Sequence, residues 1–74
     1  MDEKAELLFN TCKNNLTNEV GYDAYYELFK YTEDITGSLE PLFELWNMFP
    51  DDQFENLHKY FEKRARAENR LDLL

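Results

Sequence analysis

The sequence predicts an all-α protein, a small four-helix bundle. Apolar residues recur at three- and four-residue spacing in separate stretches, and nowhere alternate as a strand would. Helix punctuation falls between the stretches, notably at Gly37 and Pro50. The chain of 74 residues has no long linker and no internal repeat, so it forms one domain, residues 1–74.

The first helix is predicted over 2–16. Ala5, Leu8, Phe9, Cys12 and Leu16 share a face, with Asp2 as N-cap and Glu3 and Glu6 at the positive end of the dipole. The polar run Lys13, Asn14, Asn15 leads to Thr17, Asn18 and Glu19, which read as a connection. The second helix is predicted over 21–36. Tyr22, Tyr25, Leu28, Phe29, Thr32 and Ile35 form its inner face, and Asp23, Glu27, Lys30 and Asp34 its outer strip. Gly37 then supplies a left-handed C-terminal cap.

The third helix is predicted over 39–49, capped by Ser38 and stopped by Pro50. It is apolar on most sides: Leu39, Leu42, Phe43, Leu45, Trp46 and Phe49 fall within roughly 160° of arc. A helix of that kind is expected at the centre of the core, with Trp46 and Phe49 buried and the other helices wrapped around it. The fourth helix is predicted over 52–70, with a capping box from Asp52 to Glu55 and an inner face of Phe54, Leu57, Phe61 and Ala65. Its stripe fades at Arg64 and Glu68, so residues 66–74, with Leu71, Leu73 and Leu74, are expected to project beyond the core.

The composition excludes several functions. The formal net charge is −8. Residues 1–58 hold thirteen acidic and three basic residues, whereas 59–74 hold five basic and three acidic. An acidic body repels phosphate, so direct nucleic-acid binding is not expected. One cysteine forbids an internal disulfide and suits a reducing, cytoplasmic setting. The charged N-terminus is unlike a signal peptide, and no apolar run reaches membrane-spanning length.

A catalytic set is also missing. Cys12, His58 and Ser38 are each the only residue of their type; Ser38 reads as a cap and Cys12 as a small core residue. No glycine-rich phosphate loop exists. Glu55 and His58 have the Glu-x-x-His spacing of carboxylate-bridged metal bundles. The chain has one copy where such a site needs two, so this reading requires a homodimer and is the remote alternative. The expectation is no enzyme, no cofactor and no metal.

Two surface features remain. Tyr26 and Tyr31 lie among Asp23, Glu27 and Asp34, an acidic, aromatic patch suited to a basic partner surface. Lys59, Lys63, Arg66 and Arg70 form a basic stripe within roughly 60° of arc. The stripe reads as a solvated face or as a contact with acid, including the second helix of the same chain. In size, charge and helicity the chain is similar to small acidic helical proteins that phages make to block host machinery. That resemblance implies a stoichiometric, nucleic-acid-mimicking inhibitor of a larger nucleic-acid-handling protein. The alternative is a self-assembling structural subunit, motivated by Leu7, the apolar tail and the opposed charge stripes.

Overall fold

The computed structural model describes residues 2–74. It is an all-α, four-helix protein with no strand among the described residues: α1 (Glu3–Lys13), α2 (Glu19–Tyr31), α3 (Glu40–Met48) and α4 (Phe54–Ala67). The predicted number and order of helices therefore hold, and the differences concern ends and packing.

The caps explain the ends. Asp2 accepts a hydrogen bond from the Ala5 N–H at 2.8 Å, as the sequence suggests. The first helix stops at Lys13, short of 16, because Asn14 takes the C-cap and the Asn15 side chain turns back onto the Thr11 carbonyl. Asn18 caps α2 through the Val20 N–H, starting that helix two residues early. Beyond Tyr31 the chain widens into a π turn, Thr32–Thr36, closed by Gly37 at φ 70° with its N–H on the Thr32 carbonyl. That positive φ is what glycine permits there.

Two predicted caps are absent. Ser38 does not cap α3: its side chain makes no capping bond, its N–H faces the Thr36 hydroxyl, and Leu39 holds the N-cap position. The capping box at Asp52 does not form either. Asp51–Gln53 make a 3-10 turn, and α4 begins after it at Phe54. Pro50 acts as expected, leaving Phe49 extended at ψ 132°.

The hub is α2, and the expectation that α3 sits at the centre is overturned. Tyr22, Ala24, Tyr25, Tyr26 and Leu28 of α2 are all buried, and this helix packs on α1, α3 and α4. Small residues allow the closest approach. A Cβ on Gly21 would lie 1.7 Å from the Asn15 carbonyl oxygen, so the turn after α1 presses directly on the α2 backbone. Phe9 and Cys12 from α1, Leu42, Leu45 and Phe49 from α3, and Leu57 from α4 close the core around α2.

The C-terminal segment does not project. Asn69 takes φ 57°, the Arg70 N–H bonds the Ala65 carbonyl at 2.7 Å, and the Asn69 N–H bonds that of Arg66. This is a Schellman-type reversal with Asn in the glycine position. It turns Leu73 into a small second core with Tyr26, Ala65, Phe29 and Phe61. The Cα radius of gyration, 11.3 Å, agrees with the value of about 11 Å for a compact chain of this length.

Candidate functional site

The residues of the acidic, aromatic patch are engaged by partners in the same chain. Arg64 of α4 reaches across to α2, where its guanidinium meets Asp23 and bonds Glu27 at 2.7 Å; it also bonds Glu68, the C-cap of its own helix, at 2.7 Å. Tyr60 donates to the same Asp23 at 2.7 Å. Tyr26 is fully buried, not surface-exposed as the patch requires. Its hydroxyl donates to Glu68 at 2.8 Å, and the Arg64 guanidinium stacks over its ring at 4.7 Å from the centroid. Lys30 completes the cluster on Glu68 at 3.0 Å.

These contacts fix the ionisation. Hydrogen bonds from Arg64, Tyr26 and Lys30 hold the Glu68 carboxyl down at about 2, and burial with the Glu68 contact pushes the Tyr26 phenol up to about 12. Arg64 is held firmly protonated by its carboxylate partners.

Asp34 and Tyr31 are likewise engaged. Arg70 makes a two-pronged pair with Asp34 at 2.8 and 2.9 Å and also holds Asp72. Tyr31 donates to Asp2 at 2.7 Å beneath Lys4. Of the basic stripe, Arg70 leaves the row because α4 ends at Ala67, and it pairs with the acid that follows α2. Arg66 pairs with Glu62 and Lys59 with Glu55 on the outer face of α4. Lys63 is exposed and forms no ion pair among the described residues.

The reactive side chains are apart or occupied. Burial pushes the Cys12 thiol up to about 12, so it stays protonated. His58 is exposed beside Glu62 at 3.5 Å, and Glu55 faces Lys59. Among the described residues no three His, Cys, Asp or Glu side chains converge in a way that could hold a metal ion. No helix among them is long and apolar enough to cross a membrane.

Apolar side chains of α3 are exposed as well. At about 100° per residue, α3 carries two apolar faces. Leu42, Leu45 and Phe49 point to the core, and Pro41 is buried beside them in sequence. Leu39, Phe43 and Trp46 form a second stripe, about 100° around the helix, that faces solvent. Phe43 is 63% exposed and Trp46 49%. Trp46 leans on Phe54 of α4 with ring centroids 4.4 Å apart. Beyond that stack opens a groove of about 330 Å³. Tyr25, Phe29 and Phe61 are among its apolar lining, His58, Glu62 and Arg66 contribute its polar atoms, and Leu73 and Leu74 bring in the C-terminal segment. Trp46 thus joins a helix stripe and a groove into one apolar surface. No family model, curated protein or solved structure matches the chain.

From the sequence these residues are expected in the core, and the structure exposes them. Leu39, Phe43 and Trp46 are seven residues apart from end to end, on one helical face, and that spacing was the available signal. The core already has its inner α3 face from Leu42, Leu45 and Phe49.

Proposed function

We propose that this protein is a non-enzymatic binding module that acts by stoichiometric contact with a larger protein. The contact surface is the outward stripe of α3 together with the groove between α3, α4 and the C-terminal segment. The observation that carries the reading is the exposure of Leu39, Phe43 and Trp46 on one helical face. Scattered surface apolar groups are ordinary, whereas an aromatic cluster continuous with an apolar groove is what interfaces use. The net charge of −8 supports a partner with a basic surface, such as a nucleic-acid-handling protein that the module inhibits.

The test compares two surfaces. Protein purified on an affinity tag is used to capture partners from native extract, with the variant Phe43→Ala beside the double variant Asp23→Asn, Glu27→Gln. Helix content is checked by far-UV CD. The proposal expects Phe43→Ala to lose the captured protein while remaining helical. Retention by Phe43→Ala, with loss by a still-helical double variant, overturns the assignment and returns the role to the acidic face of α2.

A further inference from the structure

We infer that the occupant of this surface is a cationic amphipathic helix, about two to three turns of it, presented by the partner. The inference rests on the binding reading above and adds the chemistry of what binds. Its first support is charge. Residues 39–53 hold four acids, Glu40, Glu44, Asp51 and Asp52, and no lysine or arginine. Elsewhere Asp23, Glu27, Asp34, Glu62 and Glu68 are neutralised by cations of the same chain. None of the four forms an ion pair among the described residues. The stretch that carries the stripe is therefore acidic with no cation of its own; Glu3, Glu6 and Glu19 at the starts of α1 and α2, and Glu33 after α2, also form no ion pair among the described residues. Glu40 and Glu44 lie on α3 itself, and Asp51 and Asp52 lie in the turn between α3 and α4 that leads into Phe54.

The second support is shape. The stripe from Leu39 to Trp46 runs about 10 Å along the helix and continues into the groove beyond Trp46. No sheet edge exists among the described residues, so an added strand has nothing to pair with. A helix with apolar residues at i, i+3, i+4 and i+7 matches a helical stripe, and lysines or arginines beside them meet the acids. A second copy of this chain fits poorly, because it would set the same acids against themselves and bring a further −8.

Trp46 is the only tryptophan and lies within the site, so its emission reports occupancy directly. The probe is a synthetic leucine–lysine peptide of about 16 residues with leucines at helical spacing, long enough for four turns. Two controls accompany it: the same composition with the leucine spacing scrambled, and the same pattern with glutamate for lysine. The expected result is a saturable blue shift at one peptide per protein. Affinity should fall at least roughly tenfold for each control and for the variant Glu40→Gln, Glu44→Gln, Asp51→Asn, Asp52→Asn. Glu19→Gln, at the start of α2, should leave it unchanged.

Equal binding of the lysine and glutamate peptides overturns the cationic inference and leaves the apolar surface standing. Equal binding of the scrambled peptide overturns the helical one. A blue shift that follows protein concentration alone, with sedimentation showing dimers, assigns the face to a second copy. No response to any peptide from a monomeric protein overturns both this inference and the reading beneath it.

Discussion

Phe43 and Leu42 are neighbours on α3, and their truncation should have opposite consequences. Leu42 is 3% exposed, so Leu42→Ala opens a cavity in the core and should cost about 2–5 kcal/mol of stability. Phe43 is 63% exposed. Taking about 200 Å² for a phenylalanine, roughly 75 Å² is already covered in the free protein, worth at most about 2 kcal/mol. Alanine's better helix propensity returns about 0.5 kcal/mol, leaving a net loss near 1 kcal/mol, or about 5 °C in Tm. The remaining 125 Å², roughly, is free to be covered by a partner, which at about 25 cal/mol per Å² is about 3 kcal/mol, or roughly 150-fold in Kd. The assay is the leucine–lysine peptide titration followed by Trp46 emission, beside thermal melts of both variants. Phe43→Ala should melt close to the parent and bind at least tenfold more weakly, the lower figure allowing for repacking of the peptide. A Phe43→Ala variant that binds as the parent does, or that melts as low as Leu42→Ala, would refute the division of α3 into an inner and an outer face.

Other expectations concern the frame that presents this surface. Gly21→Ala forces a Cβ into the Asn15 backbone, which cannot swing aside as a side chain would. Overpacking of about 3 kcal/mol outweighs a propensity gain of up to about 1 kcal/mol, so Tm should drop by about 10 °C or more, and an unchanged melt would show that the α1–α2 approach is looser than described. Arg64→Met leaves Asp23, Glu27 and Glu68 crowded without their cation. Discounting for the partial exposure of the cluster, the loss should be about 2 kcal/mol, read by urea unfolding; a variant as stable as the parent would make the network decorative. Stability should also depend on pH at both ends. Glu68 has a folded pKa of about 2, below its ordinary 4.5, so its contribution is complete above about pH 4.5 and is lost as pH falls toward 2. Tyr25 and Tyr26 are raised from 10 to about 12, so their contribution is complete below about pH 10 and is lost as pH rises toward 12. Melts across both ranges check this, and the acid limb should shrink in Glu68→Gln.

Local chemistry was legible in the sequence because its causes lie within a few residues. Asp2 caps its own helix, Gly37 takes the left-handed turn and Pro50 ends α3, each through contacts of short range. Burial was misread where it depends on partners far along the chain. Tyr26 reads as a surface tyrosine on α2 until Glu68, 42 residues later, supplies a seat for its hydroxyl. Arg64 and Glu68 looked like the point where α4 leaves the core, yet they lie where α4 crosses α2 and closes over the tyrosine. The same limit produced the error at α3. A wide apolar arc says that a helix has more than one greasy side, but not how many sides the fold itself can cover. In a chain of this length α2 fills the centre, and one side of α3 suffices to close the core. The other side is then surplus to folding. An exposed aromatic stripe costs solubility and adds only a little stability through the area it already covers, and four unneutralised acids in the same stretch add repulsion. Both features cease to be liabilities when a cationic, apolar surface covers them, which is the argument for proposing the face of α3 that the fold leaves open as the contact surface.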